Sequence, residues 1–190
     1  MTTMTMTMKL SRRCLPALVL AAGLLAGCAA PTIADYANEA PRLDLREYFN
    51  GELVAHGLFS DRAGKVVKRF SVKIDARWQG DEGVLDEAFV YSDGSTQRRV
   101  WRLRRLPDAG ATARYVGEAD DVVGQAQGEA AGNALHWRYT LRLPVDGREI
   151  EVQFDDWMFL MDGGVMLNRA AMSKFGVHLG DVTLSFSKLR

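Results

Sequence analysis

Apolar and polar residues alternate along most of this chain. Phe70, Val72, Ile74, Ala76 and Trp78 are separated by Ser71, Lys73, Asp75 and Arg77. A period of two puts the five apolar side chains on one face of a half-buried strand. Leu135, Trp137, Tyr139, Leu141 and Leu143 repeat the pattern, as do Ile150, Val152 and Phe154, and then Val182, Leu184 and Phe186. Weaker alternation fits Leu53–Phe59, Val84–Tyr91, Arg98–Leu106, Arg114–Ala119 and Trp157–Met161. Residues that tolerate tight turns lie between these runs, among them Asp61-Arg62-Ala63-Gly64, Asp93-Gly94, Asp146-Gly147 and Asp162-Gly163-Gly164. About nine strands in sequential hairpins predict an all-β fold, an antiparallel up-and-down meander closing into a barrel. At most one short helix is expected, over Arg169–Phe175.

One stretch departs from the pattern. Gly124, Ala126, Gly128 and Ala130 alternate with Gln125, Gln127, Glu129 and Ala131. As a strand it has one face with almost no side chains, so either the strand bends there or the bare face leaves room for something else. The aromatics Trp78, Trp101, Trp137 and Trp157 fall one to a strand, mostly as core. In a barrel the core and a ligand cavity share one inner surface. Gly124, Ala126, Gly128, Ala130, Trp137 and Tyr139 are therefore the candidate lining of a cavity.

The start of the chain has a different character. Lys9, Arg12 and Arg13 precede an apolar run from Cys14 to Ala26 that is short for a membrane span. It ends in Leu25-Ala26-Gly27-Cys28, which resembles the lipobox of bacterial lipoproteins. The resemblance implies cleavage before Cys28 and acylation of Cys28, and two or more acyl chains anchor stably where one does not. Within the same resemblance, Ala29 rather than Asp after the cysteine implies sorting to the outer membrane, facing the periplasm. A start at Met8 instead of Met1 would give a more ordinary signal. The expected organisation is a signal peptide over 1–27, a lipid-anchored tether over 28–42 with Pro31 and Pro41, and a single barrel domain over 43–190.

That reading changes the charge and the cysteine count. The formal charge of +0 becomes −3, because residues 1–27 hold three of the 24 Lys+Arg and none of the 24 Asp+Glu. A mildly acidic chain argues against a nucleic-acid partner. Of two cysteines, Cys14 leaves with the signal and Cys28 is acylated, so the exported domain has no disulfide.

Candidate chemistry is sparse. His56, His136 and His178 sit on separate segments without metal-ligand spacing, and no Gly-x-Ser-x-Gly elbow is present. No catalytic residue, metal or cofactor is expected. The carboxylate pairs Asp120-Asp121 and Asp155-Asp156 each put one acid on the apolar side of a strand. Asp156 continues the face of Ile150, Val152 and Phe154, and an inward acid demands a partner. Arg98, Arg102 and Arg104 share one face of their strand, with Arg99 and Arg105 on the other. The expected arrangement is an outer ladder of cross-strand ion pairs, each worth under about 1 kcal/mol.

Several segments carry a family resemblance: Tyr48-Phe49-Asn50-Gly51, Leu85 to Gly94, Arg98-Arg99-Val100-Trp101, Asp120 to Gly124, Gly132 to Tyr139, Asp155-Asp156-Trp157-Met158 and Met166 to Gly176. They resemble an uncharacterised family of proteobacterial lipoproteins with a domain of unknown function, over roughly residues 45–188. The resemblance supplies no activity. Size and meander are also similar to the calycin barrels, which include the lipocalins, although the Gly-x-Trp of typical lipocalins is missing.

Three functions remain open. The first is a lipid-anchored module holding a small apolar or amphipathic ligand. The second is a structural or interaction lipoprotein with a protein partner. The third is an envelope enzyme using Asp156 or Asp121 with an arginine.

Overall fold

Ten antiparallel strands follow one another around a closed ring in the computed structural model, which describes residues 30–145 and 147–189. They are β1 (Gly51–Asp61), β2 (Val66–Gln79), β3 (Glu82–Tyr91), β4 (Thr96–Ala109), β5 (Thr112–Glu118), β6 (Ala126–Ala131), β7 (Ala134–Val145), β8 (Arg148–Leu160), β9 (Val165–Lys174) and β10 (Val177–Lys188). The ring closes where β1 meets β10, with Leu53 opposite Lys188 at one end and Asp61 opposite Gly180 at the other. Closure leaves no strand edge free to pair with another chain. The expected signal peptide and Cys28 lie outside the described residues, as does Asp146 of the β7–β8 turn.

Period-two alternation sets the inside and the outside. Val72, Ile74 and Ala76 of β2 point in and are buried, while Lys73, Asp75 and Arg77 point out. On β4, Trp101 and Leu103 point in, and Arg98, Arg102 and Arg104 point out. The outward arginines form the expected ladder, Arg98 with Asp86 (2.5 Å), Arg102 with Asp120 (3.9 Å) and Arg104 with Glu82 (4.0 Å). A charged exterior over an apolar interior is the reverse of a membrane-spanning barrel.

Three cross-strand pairs place an aromatic ring on a glycine. Phe70 faces Gly57, Trp78 faces Gly83 and Trp137 faces Gly128. A Cβ added to Gly57 would lie 2.5 Å from the Phe70 ring, and one at Gly83 2.5 Å from the Trp78 ring. Each glycine gives a large inward ring a place to lie flat along the wall.

Three expectations differ from the structure. Arg169–Phe175 is not helical: Arg169–Lys174 belong to β9, between β8 and β10, and Phe175 lies in the turn that follows. Local helix propensity around Ala170-Ala171 yields to two ladders of backbone hydrogen bonds. The ladder also makes Ile150–Phe154 and Trp157–Met161 one long strand, β8. The folded unit starts at Thr32 rather than Leu43. A 3-10 turn over Ile33–Tyr36 lies on the outer wall, with Ile33 buried against Ala131 and Ala134 and Tyr36 packed edge-on to Phe159. The expected tether over 28–42 is thus, from Thr32, part of the packed structure.

The segment after it closes one end of the barrel. A single helical turn, α1 (Leu45–Tyr48), is capped by the Asp44 side chain, which accepts from the Arg46 backbone N–H (2.9 Å). The Tyr48 hydroxyl donates to the carbonyl of Gly164 (3.1 Å), and Lys188 Nζ donates to that of Glu47 (2.6 Å). The Leu43 backbone N–H donates to the Gly132 carbonyl (2.8 Å). These ties bind the turn across the β6–β7 and β8–β9 connections.

Candidate functional site

Above this floor the barrel is not filled. A cavity of about 790 Å³ runs from Leu45 and Phe49 at the closed end to Ser95, Thr96, Pro144 and Val145 at the opposite strand ends. That volume falls within the roughly 300–1,000 Å³ of small-molecule sites. Most of the wall is aliphatic and aromatic, which is the ordinary inner face of such a barrel. The polar residues that interrupt it are therefore the informative ones.

Five polar side chains line its middle: Glu87 on β3, Arg99 on β4, Tyr139 on β7, Asp156 on β8 and Asn168 on β9. Each occupies an inward phase of its strand, Glu87 between Leu85 and Phe89, and Asp156 after Phe154. Asp156 is 5% exposed. Its carboxylate accepts from the Tyr139 hydroxyl at Oδ2 (2.9 Å) and from Asn168 Nδ2 at Oδ1 (3.0 Å). Burial pushes its pKa up to about 6, against the pull of these two hydrogen bonds.

Glu87 is 9% exposed and stands directly across the β3–β4 ladder from Arg99. Arg99 pairs instead with Asp121. The guanidinium donates to Asp121 through Nε (3.0 Å) and Nη2 (2.7 Å), a two-pronged pair. Asp121 sits in the β5–β6 connection, which lies along β7: the Val123 N–H donates to the Thr140 carbonyl and the Arg142 N–H to that of Asp121, both at 2.8 Å. Among the described residues no cation comes within 4.0 Å of the Glu87 carboxylate. Burial pushes Glu87 up to about 7, with the charge of Arg99 acting in the opposite direction.

Aromatic rings frame the acids. Trp101 meets Trp137 and Tyr139 edge to face, with centroids 5.8 and 5.5 Å apart, and Tyr139 stacks on Phe154 at 5.0 Å. Trp101 on β4 thus touches rings of β7 across the two short strands between them.

Trp137 and Tyr139, expected in the lining, are there. Gly124, Ala126, Gly128 and Ala130 are not. The bare face of β6 points inward, but the Trp137 indole covers it, lying on Gly128 and reaching Gly117, where an added Cβ would stand 2.8 Å from the ring. Ala126 and Ala130 are buried at 0% and 3% exposure. Gly124 lies before the strand with φ +68°, a conformation that favours glycine, and with open space about it. Asp156 does point in, yet its partners are Tyr139 and Asn168 rather than an arginine. Trp157 points outward, stacked on His136 at 4.1 Å, and His136 contacts Asp155 at 3.0 Å.

Glu87 and Asn168 are absent from the expected lining. Glu87 carried the same signal as Asp156, an acid in phase with apolar neighbours on a strand. Asn168 had none, since it directly precedes the residues read as a helix.

A ten-stranded closed barrel with an apolar cavity and a central polar group is the class of protein that this geometry defines. The family model described as "Protein of unknown function (DUF3833)" matches residues 22–188, and the chain belongs to that family. Among curated proteins no match is found.

Proposed function

We propose that this protein is an outer-membrane lipoprotein, anchored through Cys28, whose barrel binds a small apolar or amphipathic ligand on the periplasmic side. The observation that carries the binding part is the cavity of about 790 Å³, floored by Leu45 and Phe49 and walled by aliphatic and aromatic side chains. Empty apolar volume of this size forgoes the dispersion contacts that a packed core would gain, so a fold that keeps it is suited to an occupant. The anchoring part rests on Leu25-Ala26-Gly27-Cys28 behind a basic and apolar leader.

Solvent extraction of the purified full chain, followed by mass spectrometry, tests the binding part. The expected result is a small molecule present with the parent protein and lost in Ala170→Phe, which places a ring in the cavity from β9. Extracts without such a molecule, together with no uptake of added apolar probes, would count against it.

A further inference from the structure

The walls of the cavity hold two acids and two bases, and both bases are already paired with acids outside the lining. Glu87 and Asp156 face it from β3 and β8, and the one arginine that shares the space with them, Arg99, is engaged by Asp121. Lys68 is at the open end, 2.9 Å from Asp93 and above the Tyr91 ring, so it too is already paired. Each Asp156 oxygen takes one neutral donor and keeps lone-pair capacity, and Glu87 has no counter-ion within 4.0 Å among the described residues. Two buried carboxylates with no cation in contact are costly to keep, even with the charge of Arg99 nearby, and a barrel wall could have held leucine at either position. From this arrangement we infer that the occupant is an amphipathic amine, an apolar chain or ring system ending in a protonated nitrogen, with Glu87 and Asp156 as the acceptors of its N–H groups. This inference rests on the reading of the barrel as a binding module.

The surroundings suit such a head group. Phe89, Tyr91, Trp101 and Tyr139 line the same space, and Lys68 over Tyr91 and Arg99 over Phe89 show that its rings already accept cations. A carboxylate or phosphate head would meet the two acids with no uncommitted positive charge to receive it. The raised pKa values of Glu87 and Asp156 are what two acids awaiting a counter-charge should show. A protonated amine favours their ionised forms, so binding should release protons and weaken as the medium is acidified. The groups that bear on this titration are Glu87 and Tyr91 from β3, Arg99 from β4, Asp121 from the β5–β6 connection, Tyr139 from β7, and Asp155 and Asp156 from β8.

The test is a titration of the purified full chain with octylammonium, octanoate and 1-octanol, read by tryptophan fluorescence, since Trp101 and Trp137 line the cavity. A protein-free sample of the same lipid or detergent content is the reference. At pH 8 octylammonium should bind about tenfold or more tighter than octanoate, and should lose that advantage in Glu87→Gln with Asp156→Asn. Its affinity should fall between pH 8 and pH 5 in the parent but not in the double variant. Binding of 1-octanol that is retained in the double variant shows that the cavity is intact. Octanoate binding as tightly as octylammonium, or octylammonium binding unaffected by the double variant, would overturn the inference and leave the cavity reading standing. Failure of all three probes to bind would overturn the cavity reading itself, and this inference with it.

Discussion

Trp137 stands directly opposite Gly128 on the β6–β7 ladder and fills the space that a Gly128 side chain would need. The smallness of β6 is thus matched to one indole ring, and that ring is at once packing for β6 and lining for the cavity. The consequence is that two alanines of the inner wall should differ in how much enlargement costs them.

Ala126→Leu should destabilise the fold by about 1–3 kcal/mol, because Ala126 is fully buried and has no cavity before it. Ala170→Leu, which extends into the cavity, should cost less than about 1 kcal/mol. Urea denaturation of both variants beside the parent decides the matter. Equal losses would mean that the cavity at Ala170 is not available.

Glu87 predicts an unusual pH dependence. Its folded pKa is raised from 4.5 to about 7, so the folded protein binds the proton more tightly than the unfolded chain does. Its favourable contribution is complete below about 4.5 and is lost as the pH rises through about 7. Asp156, raised to about 6, acts in the same sense. The ligand-free protein should therefore gain stability from pH 8 down to pH 5. Below that range Asp44, lowered by its hydrogen bond from Arg46, and Asp93, lowered by hydrogen bonds from Ser95 and then Lys68, reverse the trend. Glu87→Gln should flatten the slope and raise stability at pH 8 by about 1–3 kcal/mol. Thermal melts across this range test it, and a variant less stable than the parent at pH 8 would show that Glu87 has a partner.

Leu45 is the plug residue to remove. Buried at 2% exposure at the floor of the cavity, it should cost about 2–5 kcal/mol on Leu45→Ala, as other large-to-small core changes do. The same change should enlarge the cavity at its closed end, which a longer apolar probe would report as tighter binding. A loss under about 0.5 kcal/mol would mean that α1 does not close the barrel in solution.

Cys28→Ser should release the protein from the membrane or leave it uncleaved, since no other acylation site is expected. Fractionation checks this. A variant still cleaved and still membrane-bound would end the lipoprotein reading.

The barrel was legible wherever inward residues were large and outward ones charged, as in Phe70–Trp78 and Leu135–Leu143. It was lost where the inward residue was small or polar. In β9 the inward set is Met166, Asn168, Ala170 and Met172, too mixed to stand out against the helix propensity of Arg169-Ala170-Ala171. The turn on the outer wall was missed for another reason. Ile33 and Tyr36 sit between Pro31 and Pro41 in a stretch that reads as a linker, and only contact with Ala131 and Ala134, far along the chain, gives them a place. Of the site, Trp137, Tyr139 and the inward turn of Asp156 could be read from phase alone. The commitment of Arg99 to Asp121 could not, because it depends on how the β5–β6 connection lies along β7.

The pairing of β1 with β10 sets the order in which the molecule can be made. Every other ladder joins neighbours in the chain and can form as a local hairpin, whereas Leu53 must find Lys188 across nearly the whole domain. That last step encloses the longest loop and carries the largest entropic cost of closure, and folds that depend on distant contacts form slowly. Until it happens, both end strands present open backbone and the apolar interior is an exposed trough. A nascent molecule is therefore most vulnerable to its neighbours just before completion, and its safety rests on how fast the two ends of the sheet meet.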